Sequence, residues 1–230
     1  MLRRLALATV LMLSAPLIFA GDAARFVNLG FSTDEHTFMF AQYGVNRSSS
    51  APYAEIYTVD VERNSFVSDG VFDTESERPV SPGQDGSAAL FSLLREASSV
   101  ISDRSIDHLR QGRIVYARLN EDAPQESVEF RDFNTGDHYT ARLNQQQEGS
   151  GTEARAKFHI ELTRDPEDGE QRSYTMGRPD HFREGVSEYR LHQGILSPNE
   201  RSIVFVVEIV RPTDEGHSLR YMVETLNFDD

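Results

Sequence analysis

The segment Gly177 to Gly185, GRPDHFREG, gathers four side chains able to do chemistry: Arg178, Asp180, His181 and Arg183. An aspartate beside a histidine can orient an imidazole for proton transfer, and paired arginines can clamp a carboxylate or a phosphate. On an extended chain, neighbouring side chains point to opposite faces, so Asp180 reaches His181 only where the backbone bends. These four residues form the candidate ligand-binding set. The plain alternative is a charged loop between two strands, and the catalytic alternative is a periplasmic hydrolase or metal-dependent enzyme built around Arg178–Arg183.

Other groupings are weaker. The seven histidines, His36, His108, His138, His159, His181, His192 and His217, include no pair at the spacing of a metal-binding helix or a zinc ribbon. Asp165, Asp168 and Glu170 sit around Gly169 without the alternate-residue spacing of a calcium loop. Ser87 follows Gly86, but Ala89 breaks the glycine-flanked pattern of a nucleophile elbow, and helix capping accounts for that serine. Phe38, Phe40, Tyr43, Tyr53 and Tyr57 would suit a sugar- or peptide-binding surface, although strand alternation places most of them in a core, and the chain has no tryptophan. No catalytic residue, metal ligand or cofactor is assigned.

The elements that must position the candidate set are mostly strands. Val27, Leu29 and Phe31 alternate, and after the turn Ser32-Thr33-Asp34-Glu35 so do Phe38 and Phe40. Further strands are expected at 56–61, 114–119, 128–133, 138–143, 158–163, 172–176, 189–191, 203–210 and 219–226. The polar stretch Asn144 to Arg155 reads as a long hairpin loop. Leu90, Leu93, Leu94, Ala97, Val100 and Ile101 recur at helical spacing, with Asp85 or Ser87 as cap. A following turn, SIDHLRQG, directs Ile106 and Leu109 inward and stops at Gly112. The expected fold is mainly β and antiparallel, either propeller-like or two-sheet, with one helical insertion at about 86–111.

The chain opens MLRRLALATVLMLSAPLIFAGDA, two arginines before a short apolar run and small residues, the pattern of a secretory signal peptide. Ala23 with Gly21 fits the small-x-small rule at the cleavage site, whereas cutting after Ala20 places branched Ile18 where a small residue is preferred. The reading is a signal peptide over 1–23 and one domain over 24–230. Its removal takes Arg3, Arg4 and Asp22, moving the formal charge from −14 to −15. Such a field repels phosphate backbones and anionic lipid, arguing against nucleic acid as a partner. The absence of cysteine excludes a disulfide scaffold and a lipid-modified cysteine. No stable membrane anchor is expected after cleavage, and the protein is read as secreted or periplasmic.

Two phrases recur. Gly30-Phe31-Ser32-Thr33-Asp34-Glu35 parallels Ile195-Leu196-Ser197-Pro198-Asn199-Glu200, and Tyr57-Thr58-Val59-Asp60 parallels Phe130-Arg131-Asp132. They resemble blade ends of WD-repeat and Tol-type β-propellers, where an apolar-Ser-Pro-Asp-Gly turn precedes a strand and an aromatic-x-Asp phrase closes a hairpin. The likeness departs at the glycine, replaced by Glu35 and Glu200, and no fixed period of about 40 residues links the phrases. Taken whole, the order of leader, FVNLGFSTDEHTFMFAQYG, YAEIYTVDV, one amphipathic helix, IDHLRQGRIVY and LSPNERSIVFVVE resembles a spirochaetal family of predicted secreted proteins. That resemblance implies export and brings no catalytic residues. A noncatalytic binding or interaction module of the bacterial cell envelope, with a cell-envelope protein as partner, is the expected role.

Overall fold

The computed structural model describes residues 20–119 and 123–228. In chain order the elements begin with β1 (Ala20–Ala23), β2 (Arg25–Ser32), β3 (Thr37–Val45), β4 (Pro52–Asp60) and β5 (Ser65–Glu75). Two helices follow, α1 (Ser87–Glu96) and α2 (Ser98–Asp103), then β6 (Ile106–Asp107), β7 (Arg113–Ala117), β8 (Ser127–Arg131) and β9 (His138–Glu148). The last are β10 (Arg155–Asp165), β11 (Arg172–Gly177), β12 (Arg183–Glu184), β13 (Glu188–Leu196), β14 (Ser202–Thr213) and β15 (Gly216–Asn227).

These strands form three sheets, ordered β5-β4-β3-β2-β6, β1-β15-β14-β13-β7 and β11-β10-β9-β8, with β12 on β10. Pairing is antiparallel except for β1, which runs parallel to β15. The fold is thus mainly antiparallel β with one helical insertion. Each sheet contains hairpin-connected consecutive strands, the device that also builds propeller blades, but three sheets are fewer than the four or more blades of a ring.

The cores give the stacking order. One face of the first sheet, with Leu29, Met39, Ala41, Ala54 and Ile56, covers Ala89, Leu90, Leu93 and Ala97 of the helical segment. Its other face presents Phe31, Phe38, Phe40 and Val59 to Ile195, Val204, Val206 and Val223 of the middle sheet. The opposite side of that sheet, with Ile203, Phe205, Val207 and Ile209, packs on Tyr139, Leu143, Phe158, Ile160 and Leu162 of the third. Covered on both sides, β14 needs apolar residues without alternation, which explains the run IVFVV.

The two related turns are superimposable in their bonding. Ser32 Oγ donates to Asp34 Oδ1 (2.6 Å), and the amides of His36 and Thr37 donate to Asp34 Oδ1 (3.2 Å) and Ser32 Oγ (3.0 Å). Ser197, Asn199, Arg201 and Ser202 repeat this at 2.8, 2.9 and 3.0 Å. Glu35 and Glu200 both sit at φ 64°, where the propeller pattern has glycine.

Three expectations need correction. The helix is broken at Ala97 into α1 and α2. Leu109 is 92% exposed, because Ser105, at φ 52°, turns the chain into β6 on β2, so Ile106 is buried but no second inward helical turn forms. Gly112 does adopt a left-handed φ of 73°, where a Cβ would lie 2.3 Å from the Leu196 carbonyl oxygen. The hairpin loop is shorter than Asn144 to Arg155: β9 runs on to Glu148 and β10 starts at Arg155, pairing from His138 with Asp165 to Glu148 with Arg155 and leaving 149–154 as the loop. The glutamines of β9 are usable in a strand because Gln145 bonds the backbone of Tyr189 on both sides, accepting from the amide at 2.8 Å and donating to the carbonyl at 3.1 Å.

Candidate functional site

Gly177, at φ 90°, turns the chain out of β11 into the charged segment, and Arg183 brings it back by pairing with Ala156 of β10. Arg178, His181 and Arg183 then line a cleft of about 540 Å³ where the three sheets converge. Asp180 does not join them. Its side chain is 99% exposed and faces Lys157 Nζ at 3.8 Å, so the Asp180–His181 pair that would orient an imidazole is not formed. The bend displaces that aspartate outward while Phe182, lying under Arg155 and Lys157 at 5.0 Å each, pins the segment to β10.

The first sheet supplies an aromatic wall. Phe26, Phe40, Tyr57 and Phe66, one from each of β2 to β5, stack in sequence with centroids 5.7, 5.1 and 5.3 Å apart. Phe40 is fully buried and Phe66 is 56% exposed, so the ladder runs from core to surface. Burial and the neighbouring Glu55 carboxylate hold the Tyr57 hydroxyl protonated, well above the ordinary tyrosine range.

Two side-chain amides join this wall to the middle sheet. Gln42 accepts from the Tyr221 amide (2.7 Å) and donates to Glu55 (2.6 Å), whose same oxygen receives the Tyr57 hydroxyl at 2.8 Å. Asn64, at φ 49° in the turn after β4, accepts from the Thr225 amide (2.9 Å) and donates to Glu224. Both cover a stretch of β15 that β1 leaves unpaired, and Val223 lies between them on the cleft.

The electrostatics of the cleft run against the chain's net charge of −14. Arg178, Arg183, Arg211 and Arg220 line it, facing Glu55 and Glu224. Glu224 is buried, and desolvation raises its pKa above the usual carboxylate value despite Asn64, Arg183 and Arg178. Arg183 approaches Glu224 only to 3.9 Å and lies over the rings of Phe158 (5.4 Å) and Tyr189 (5.9 Å). Its Nη1 is buried without a hydrogen-bond partner. Arg220 is differently placed, held by both oxygens of Asp22 at 2.6 and 2.8 Å and stacked 4.4 Å over Tyr53.

Chemically, this arrangement can hold an anionic group beside an aromatic surface. Among the described residues no three His, Asp or Glu side chains gather as they would around a metal ion. Sequence reasoning missed Gln42, Asn64, Arg211, Arg220 and Glu224. The sequence carries no signal for them, since their partners lie far along the chain, Gln42 and Tyr221 being 179 positions apart. Phe40 and Tyr57 did show as aromatics able to line a binding surface.

Fold and cleft together define a mainly antiparallel β protein with a cationic, aromatic-walled cleft between sheets. Residues 39–227 match the family described as "Predicted secreted protein (DUF2259)", and the chain belongs to that family. No curated protein and no solved structure matched it. The family's description agrees with the leader read at the N-terminus, and among the described residues no helix is long and apolar enough to cross a membrane.

Proposed function

We propose that the protein is an exported, noncatalytic binding module of the bacterial cell envelope. Its cleft takes an anionic group flanked by an apolar one, such as an acidic segment of an envelope protein. The observation that carries this reading is Arg183, whose buried Nη1 lacks a hydrogen-bond partner while the nearest carboxylate, Glu224, is shifted toward its neutral form. A bound carboxylate would pair with the Arg183 guanidinium, and Arg178 and Arg211 would add charge at the mouth. With a spirochaetal source, as the sequence resemblance implies, the compartment is the periplasm or the cell exterior.

Binding is favoured over the alternative of a hydrolase or metal-dependent enzyme at Arg178–Arg183 by the separation of Asp180 from His181. The test is crosslinking and pull-down from the native envelope fraction with the mature protein and with an Arg178→Ala/Arg183→Ala double variant of unchanged circular dichroism. Wild type is expected to capture a partner through an acidic segment and the double variant to lose it. Equal capture by both, or no capture together with a stoichiometrically bound metal, overturns the reading.

A further inference from the structure

The sequence leaves two places for the leader to be cut, after Ala20 or after Ala23, and these are the first and last residues of β1. Asp22 is part of the fold. Its carboxylate receives two hydrogen bonds from Arg220, at 2.6 and 2.8 Å, and a third from the Tyr53 hydroxyl at 2.8 Å. The Asp22 and Arg220 side chains are only 11% and 19% exposed, so the pair is largely desolvated in the fold. The adjoining backbone is also committed, with Ala23 in register with Leu219 and the Ala24 amide donating to the Leu219 carbonyl at 3.0 Å.

Cutting after Ala23 would strip Arg220 and Tyr53 of their shared carboxylate. It would also place a new α-ammonium group on Ala24, next to the guanidinium that has just lost its counter-charge. Arg220 would keep its bond to the Leu219 carbonyl (3.0 Å) and its stacking on Tyr53, but it would lose its paired carboxylate while gaining a second cation beside it, and separating a largely buried ion pair in this way is costly. Cutting after Ala20 keeps every one of these contacts, and Ala20 is itself a small residue at the cleaved bond; Ile18, branched where a small residue is preferred, is what this site gives up.

We infer that the signal peptidase site is the Ala20–Gly21 bond, and that the mature protein retains Asp22 as the built-in counter-ion of Arg220. One consequence concerns the cleft. Arg220 lines it but is neutralised from behind by Asp22, leaving Arg178, Arg183 and Arg211 as the cations that face a ligand. The inference stands independently of what that ligand is.

The experiment is to express the full chain with its own leader in an exporting host and read the N-terminus of the exported protein by sequencing and intact mass. A first residue of Gly21 is expected. A first residue of Ala24, or export with the leader still attached, overturns the inference.

Discussion

At the scale of single residues, the two glutamates at left-handed backbone positions carry the most information. A non-glycine residue there costs about 1–2 kcal/mol, so each must be offset by what its side chain does. Glu35 is buried, accepting the Asn199 amide at 2.8 Å and pairing with Arg110, so the first turn completes the second. Glu200, with a side chain 38% exposed, accepts from Arg113 at 2.7 Å, and Arg113 is also held by Asp132. Glu35→Gly is therefore expected to destabilise by about 1 kcal/mol despite the relieved backbone, because it removes the acceptor shared by the Asn199 amide and the part-buried Arg110 guanidinium. Glu200→Gly should be close to neutral. Urea midpoints of the two variants check this, and equal midpoints would mean that the Glu35 carboxylate is dispensable. Asp34 and His36, by contrast, need no chemistry to explain them. Asp34 serves its own turn, where Ser32 holds its pKa below the usual range, and His36 is exposed. Glu224 gives a pH prediction. With its folded pKa raised, its contribution to stability is full below the ordinary glutamate value of 4.5 and is lost as pH rises through the folded pKa. Glu224→Gln should thus gain stability relative to wild type on going from pH 4 to pH 7, by at most about 1.4 kcal/mol per pH unit. A stability difference independent of pH would contradict it.

At the scale of elements, the open edge of β15 is the part that needs most support. Gln42 and Asn64 reach it from the first sheet, doing with side chains what a further strand would do with backbone. Asn64→Gly, which tolerates the positive φ but loses both bonds, is expected to cost about 1–3 kcal/mol, read from chemical denaturation. The start of the mature chain matters on the same edge. A form beginning at Ala24 should melt several degrees below one beginning at Gly21, since a loss of about 1 kcal/mol moves the midpoint by about 2–4 °C in a domain of this size. Indistinguishable melting curves would show Asp22 to be passive. The same edge explains what could be read from the sequence. Strands such as β2 to β4 and β14 were legible because alternation or a continuous apolar run records how many faces are covered. The charged segment was legible as a group because Arg178, His181 and Arg183 are neighbours in sequence. The full length of β9 was not: the hairpin was legible, but with its loop starting at Asn144, because Gln145 is polar only to bond the Tyr189 backbone, a partner 44 residues away. Neither was the outward turn of Asp180, which depends on where Lys157 and Phe182 lie.

At the scale of the whole molecule, charge sets how a ligand arrives. Cleavage after Ala20 removes Arg3 and Arg4 alone, taking the formal charge from −14 to −16. An anionic segment approaching the cleft therefore crosses a repulsive far field before it meets the local field of Arg178, Arg183 and Arg211. Salt acts on these two differently. The far field is screened beyond a Debye length of about 8–10 Å near physiological ionic strength, whereas the contact with the half-buried Arg183 is screened much less. Raising salt from about 20 to about 200 mM should therefore speed association of an acidic segment recovered by crosslinking, while its dissociation rate changes little. Basic binding proteins show the reverse, their association with anionic partners slowing as salt rises. Stopped-flow measurement of the two rates against salt separates the cases. An association rate that falls with salt would mean that the local arginines dominate at long range, or that the segment docks elsewhere. Arg183→Met distinguishes these, because it should raise the dissociation rate several-fold only if the anion sits in the cleft.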